Sequence, residues 1–479
     1  MLGGRGRMDN NQMMPTEISI KNKKHMVKGN VIRTAVFARS KVIEIGTEDQ
    51  ERYYLIFYKN SLIFGGKLNQ VEKGTFINKA NHEGIIIESP HPILRALIPE
   101  GTVTIPNKSN LFSQLQLHYS PQEMVYILTT LDSFFEKEQL IKAIDKIFFH
   151  FRRNGKFLKS FQILQMLADF APTLKSAQER LAAQEFSSYQ HFYNSSSLPE
   201  ILYKDPLYVE LHCFKNRTNP EERKCLEEIV SKQDGLVELL LWLDHAEKHK
   251  ETISIEMYTS SALRFVTMEE WMLILAQLNI NPFQVLPDSK SVIKKMLQAG
   301  NHEKAALCLL RFIDDLPASY NANLLIIWDH SDPTFVIEHF DEFIKLLQHL
   351  PHSEKTKRFE QKVFQFAEIL LKEHDLKTVY EQLIAIQMII PGLEVIKKIS
   401  EMVGLLENPD RMMELGDYYA EFKQFDKAID CFFWEMELQP QNPAPVRKIS
   451  KMYQSKGMIQ EAAAYQKVLA QLQSNQETV

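Results

Sequence analysis

The sequence predicts a mainly α chain of stacked helical hairpins, preceded by a small β-rich domain. Three observations predict it. The apolar periodicity changes from two to 3.6 near residue 110 and does not change back. Ten of the 17 glycines fall in the first 110 residues, so the rest of the chain has few helix breakers. Near the C-terminus the sequence echoes itself: Tyr419 and Tyr453 stand 34 positions apart, as do Ala428 and Ala462.

Residues 1 to 15 are polar and glycine-rich without periodicity, and are expected to form a disordered tail. Met8 is the expected start, because Gly3-Gly4-Arg5-Gly6 reads as a translated purine-rich ribosome-binding site. Natural peptides containing Gly3 would dispose of that expectation. The β-rich domain is expected over 16 to 110. Its strands are Val31–Phe37, Lys41–Ile45, Tyr53–Tyr58, Ser61–Phe64, Gly84–Ile87 and Thr102–Ile105, rich in β-branched and aromatic residues and bounded by turn formers. Tyr58-Lys59-Asn60-Ser61 reads as a tight hairpin. Gly65-Gly66-Lys67 reads as a hairpin turn rather than a phosphate loop, since no helical pattern follows it.

Helix starts are legible beyond that point. Ser120-Pro121-Gln122-Glu123 and Thr267-Met268-Glu269-Glu270 are capping boxes. Asn219-Pro220, Asp332-Pro333, Asn408-Pro409 and Asn442-Pro443 pair an N-cap residue with proline at the first helical position. The clearest hairpin runs Met412-x-x-Leu415-Gly416-x-x-Tyr419, then Phe425, Ala428, Phe432 and Pro440. Leu415, Gly416 and Tyr419 share one face of a first helix, and Gly416 removes bulk where the second helix approaches. Ala428 is that helix's small contact and Phe432 its large one. A second copy follows with Ile449, Tyr453, Gly457 and Ala462.

This pattern resembles the tetratricopeptide-repeat (TPR) proteins of bacteria, here with a small β-rich N-terminal domain appended. The match departs at Met412, in the usual tryptophan position, and at Glu435, where a second small residue is common. The second copy has Ser450 for the glycine and Gln466 for the late aromatic. The same intervals recur at Ile147, Phe151, Gly155, Phe157, Ser160, Leu164 and Pro172; at Val292, Met296, Gly300, Ala305, Leu309 and Pro317; and at Phe366, Leu370, Leu376, Leu383 and Pro391. Degenerate repeats are therefore expected over 111 to 404 and two clear ones over 405 to 473. The resemblance implies a TPR-like α-solenoid and a non-catalytic adaptor whose superhelical groove holds a peptide or another protein. In such stacks the first helix of each pair lines the groove. The expected binding residues are Asp410, Met413, Glu414, Asp417 and Glu421 in one repeat, and Arg447, Lys448 and Lys451 in the next. An acidic turn beside a basic one would suit a short amphoteric peptide.

Composition agrees with that class of work. A hydrophobic fraction of 44% and a charged fraction of 24% are those of an ordinary globular chain. The densest apolar window, Leu236–Leu243, is far shorter than the ~20 residues a membrane span needs. The four cysteines are scattered without a C-x-x-C pair, so a reducing cytoplasm is expected. No phosphate-loop, dinucleotide, nucleophile-elbow or metalloprotease motif is present, and neither catalytic residue, metal nor cofactor is expected. His245-Ala246-Glu247-Lys248-His249, with Asp244, has metal-ligand spacing but no evident third ligand and reads as a solvated helix face. His374-Asp375, with His349 and Asp410, imitates an HD phosphohydrolase yet falls in an inter-helix turn. His212-Cys213 with Cys225 is weaker still.

Charge is unevenly divided. Residues 1 to 110 carry 16 Lys+Arg against 10 Asp+Glu, a net of +6, and the remainder carries 40 against 51, a net of -11. Lys21, Lys23, Lys24, Lys28, Arg33, Arg39 and Lys41 could track a phosphate backbone, or could be the lysine-rich edge of a sheet. Two other functions thus stand beside the adaptor: a nucleic-acid-associated regulator using the basic domain, and a helical-repeat hydrolase.

Overall fold

Alternating β-branched and aromatic residues make five consecutive antiparallel strands: β1 (Glu17–Asn22), β2 (His25–Phe37), β3 (Ser40–Gly46), β4 (Arg52–Tyr58) and β5 (Ser61–Lys67). Two later strands, β6 (Ile85–Glu88) and β7 (Thr102–Thr104), join β2 and β1 respectively. The order β5-β4-β3-β2-β1-β7 gives a nearly closed, barrel-like sheet. The Tyr58–Ser61 hairpin forms as expected, with Lys59 in the left-handed region at φ 54°. These coordinates come from a computed structural model, which describes residues 16–23, 25–248, 255–350 and 356–476. The expected tail, the choice between Met1 and Met8, Lys24 and His249 all lie outside the described residues.

Three expectations for the sheet need correction. Gly65, Gly66 and Lys67 are not a turn but the end of β5. A Cβ on Gly65 would sit 2.4 Å from Leu55 Cδ2 and 2.8 Å from the Tyr54 carbonyl oxygen, so that glycine serves close strand approach. Strand β1 was not among the expected strands, its alternating Ile18 and Ile20 being masked by the lysines around them. The helix Phe76–Glu83 was also missed; Thr75 caps it, and Phe76, Ile77 and Ala80 are its buried face.

Beyond Lys108 every regular element among the described residues is helical. Ser120 and Thr267 form the expected capping boxes, and Asn219, Asp332, Asn408 and Asn442 cap as expected. Helices cover one side of the sheet. Tyr58 packs on Tyr126 of the helix Pro121–Thr129 with ring centroids 5.8 Å apart, and Phe37 on Phe214 of the helix Pro206–Lys215 at 5.0 Å. The sheet and the helices up to Ile280 form one compact unit; Asn281–Val479 form a second. The strand-to-helix transition near residue 108 therefore does not divide the compact units.

One turn recurs in four hairpins, one in the first unit and three in the second. Helices Lys137–Arg153 and Phe157–Phe170, Ser289–Gln298 and His302–Leu310, Met412–Glu421 and Phe425–Leu438, and Pro443–Ser455 and Ile459–Gln476 are each joined through a residue with positive φ. These are Gly155 (68°), Gly300 (80°), Lys423 (55°) and Gly457 (76°). In each, the next residue's N–H donates to the carbonyl five positions back: Lys156 to Phe151, Asn301 to Met296, Gln424 to Tyr419 and Met458 to Tyr453, at 2.8 to 3.0 Å. This is the Schellman closure of a helix C-terminus. The acceptors are the very residues picked out by the 34-residue pattern. The small positions Ser160, Ala305, Ala428 and Ala462 are all buried in their hairpins. The fifth expected pair, Thr356–Glu373 and Leu376–Ile389, turns differently, with Asp375 as N-cap.

Candidate functional site

In the second unit the helices Glu394–Leu405, Met412–Glu421 and Pro443–Ser455 lie side by side and are laced by polar contacts. Lys448 donates to both carboxylate oxygens of Asp417 at 2.5 and 2.6 Å. Glu421 accepts from Lys398, and Tyr418 Oη donates to Glu401 at 2.6 Å. That bond pushes the Tyr418 phenol up to about 12. Residues 17 to 31 apart in sequence are thus brought to one face. Glu414 is half-buried and paired with Arg411 at 2.8 Å; Met413 is half-buried; Asp410 is exposed in the turn Pro409–Arg411. Arg447 and Lys451 are exposed and make no ion pair among the described residues.

The expected opposition of an acidic and a basic turn is therefore partly cancelled, because Asp417 and Lys448 neutralise each other. Lys448 also lies 5.4 Å from the Phe432 ring centroid. Exposed pairs of this kind contribute little to stability, about 0 to 1 kcal/mol each. Their consequence is geometric: they hold the first helices' outer side chains on a common surface.

In the first unit the structure shows a feature that no sequence pattern announced. A cavity of about 370 Å³ lies between the β2–β3 turn, Leu97 and the helices that cover the sheet. Arg39 and Lys41 reach it from the turn. Arg39 is bound to the buried Glu210 at 2.6 Å. Burial works against the guanidinium charge, but the hydrogen bond and charge of Glu210 offset it and hold Arg39 above its ordinary range. Lys41 is only 9% exposed and donates to the Leu97 carbonyl at 2.6 Å. A larger polar cavity, about 730 Å³, lies beside Asp205. That carboxylate is already satisfied by Tyr193 Oη (2.7 Å), Gln122 Nε2 (2.7 Å) and the Tyr208 N–H (3.0 Å) as it caps the helix Pro206–Lys215.

The basic stretch is dispersed by the fold. Arg33 pairs with Glu44 at 2.6 Å, Arg39 is half-buried on Glu210, and Lys41 is buried. Lys21, Lys23 and Lys28 stay exposed around the β1–β2 turn. Lys21 is flanked by both β2 and β7, whereas Lys28 lies in the stretch of β2 that pairs with β1 alone, so the edge expectation holds there and not at Lys21. Asp244 is bound to Arg217 (2.9 Å) and Lys248 (2.8 Å), and His245 Nδ1 lies 2.9 Å from Arg223 Nη1. Asp375 accepts from the Thr378 N–H (3.0 Å) and hydroxyl (2.6 Å). His349 lies at the end of its helix, 3.8 Å from Asp314.

No protein-family model matches this chain, and no curated protein matches it. Among solved structures, one titled "Crystal structure of MamA" is similar at 14% identity, over 39% of this chain and 97% of that one. Its TM-score is 0.17, too low to carry an argument about fold or function.

Proposed function

We propose that the chain is a non-catalytic adaptor whose C-terminal hairpins hold a segment of another protein. One observation carries the reading. The Asp417–Lys448, Glu421–Lys398 and Tyr418–Glu401 contacts align three neighbouring helices into a single polar face, on which Arg447 and Lys451 have no ion pair among the described residues. The resemblance to TPR proteins belongs to the same reading. A short segment carrying both signs would set its acidic end on Arg447 and Lys451 and approach Asp410 with its basic one. Such charges act on orientation and association rate more than on affinity. The reading calls for no metal or cofactor, and we take its setting to be the cytoplasm, in keeping with the unpaired Cys213, Cys225, Cys308 and Cys431.

The test is capture of partners from a lysate by the full chain and by an Arg447→Glu, Lys451→Glu variant, read by mass spectrometry. Lys448 is left alone, because reversing it would set two carboxylates against each other at Asp417. The variant is expected to melt as the parent does and to lose the parent's specific partners. Unchanged capture by a folded variant would remove this face from the proposal. No observation raises the nucleic-acid reading beside it, since Arg33, Arg39 and Lys41 are engaged inside the protein.

A further inference from the structure

The cavity beside Lys41 has an electrostatic deficit that the protein itself leaves unfilled. An ammonium has three donors, and Lys41 Nζ has one strong acceptor, the Leu97 carbonyl. The Phe57 ring, 5.2 Å from Nζ to its centroid, adds a weak cation–π contact. Among the described residues no carboxylate lies within ion-pair distance of Nζ. The carboxylates nearby have other work. Glu210 is held by Arg39, and Glu123 by Lys59 at 2.9 Å. Asp234 lines the cavity and acts on Lys41 from longer range, but it accepts the N–H groups of Leu236 (3.0 Å) and Val237 (3.4 Å). A buried cation without a counter-ion costs several kcal/mol more than a paired one.

Ser40 also lines the cavity, but its buried hydroxyl is turned toward Tyr126, as alternation along β3 requires, and leaves Lys41 as the buried polar group that faces the open space. Val36 and Leu97 flank Lys41, and Val230, Leu236 and Val237 bring further apolar surface from the covering helices, with Gln233 and Asp234 between them. The cavity's size lies within the range usual for small-molecule sites.

We propose that this cavity binds a small carboxylate with an aliphatic body, its carboxylate accepting from Lys41 Nζ and its chain lying on the Val230–Leu236–Val237 wall. Arg39, Lys41 and Lys59 stand against Glu210 and Asp234 in the lining, an excess of one positive charge that matches one negative charge, and the apolar wall gives a phosphate dianion nothing. Burial pushes the Lys41 ammonium down to about 8 despite the opposing pull of Asp234, and an arriving carboxylate would relieve that penalty. This site is independent of the C-terminal face, so either can fail without the other.

Titration calorimetry on the full chain tests it, with pentanoate, hexanoate and 4-methylpentanoate as probes and acetate, 1-pentanol and inorganic phosphate as controls. The expected result is saturable binding of the aliphatic carboxylates, about tenfold or more tighter than the alcohol of matching length. Lys41→Met should abolish it. Replacing a buried, poorly compensated lysine with an apolar side chain of similar shape should leave folding intact. Val237→Phe, which fills the cavity from the far wall and leaves the lysine in place, should abolish it as well, and stands in should Lys41→Met not fold. No saturable carboxylate binding by the parent up to about 10 mM overturns the proposal. So does equal binding of the alcohol, stronger binding of phosphate, or carboxylate binding that survives these substitutions in folded protein.

Discussion

Gly416 offers the sharpest test of the hairpin register. It lies in the helix Met412–Glu421, where a Cβ would stand 2.4, 2.8 and 3.0 Å from Cε1, Cδ1 and Cζ of Phe432 on the partner helix. Carbon atoms in contact prefer about 3.5 to 4.0 Å. Phe432 is 0% exposed, so its ring has nowhere to swing. Gly416→Ala should therefore cost about 1 to 3 kcal/mol in overpacking. Against this stands a gain of up to ~1 kcal/mol, because alanine loses less conformational freedom in a helix. The net expectation is a loss of about 0 to 3 kcal/mol, from the difference of those two ranges. Gly404 supplies the control: it is helical and exposed, and a Cβ there meets nothing within 4 Å. Gly404→Ala should stabilise by about 0.5 to 1 kcal/mol. The two alanines thus differ in sign because of one ring. Hydrogen exchange read on peptides covering 412–438 is the suitable assay, since repeat proteins often unfold in pieces. In a Phe432→Leu background the cost of Gly416→Ala should shrink, a coupling of roughly 0.5 kcal/mol or more. If Gly416→Ala protects its hairpin as much as Gly404→Ala protects its own helix, the close approach is wrong and so is the register.

The shared turn predicts opposite effects at equivalent positions. Lys423→Gly should stabilise its hairpin by about 1 kcal/mol and Gly457→Ala destabilise its own by a similar amount, since a left-handed residue with a Cβ costs that much. The exposed Lys423–Glu368 ion pair, 3.0 Å, is too weak to hide this, and parallel shifts in melting would contradict it. Ala428→Leu, at a fully buried contact, should cost about 1 to 3 kcal/mol, and an unchanged exchange profile would show that the small position is elsewhere. Lys41 gives a pH signature. Its folded-state pKa, about 8, lies below the ordinary 10.5. Between those values the unfolded chain holds a proton that the folded chain has released, so stability rises with pH across the window and is flat below it. At about 1.4 kcal/mol per unit the whole window is worth roughly 3 kcal/mol. Denaturation of the parent and of Lys41→Met from pH 7 to 10.5 isolates it. The advantage of the methionine variant should narrow as pH rises, and a constant gap counts against the buried charge.

What the sequence determined by itself is whatever contiguous residues decide. Ser120 with Glu123, Thr267 with Glu270 and Asn442 with Pro443 start helices because the groups they satisfy lie within four positions of them. The hairpin register was legible because a small residue, a large one and a left-handed turn must recur at set distances for two helices to close on each other. Gly155, Gly300 and Gly457 carry that turn openly; Lys423 hides it, and only its neighbours' spacing betrayed it. Tertiary structure decided everything that turns on a distant partner. Gly65 looked like a turn because nothing local says that Leu55 will press against it. Arg39 looked available until Glu210, 171 positions away, closed on it, and Lys41 until Leu97 did, 56 away. Asp417 and Lys448 were each read as facing a partner, and the stacking of helices gave them to each other instead. A carboxylate and an ammonium attract wherever the fold brings them together, and at separations of tens to hundreds of residues no local rule carries that information. The cavity beside Lys41 belongs to the same class. Its walls come from two strand turns, Leu97 and three distant helices, so its shape and its unbalanced charge exist only once the chain has folded.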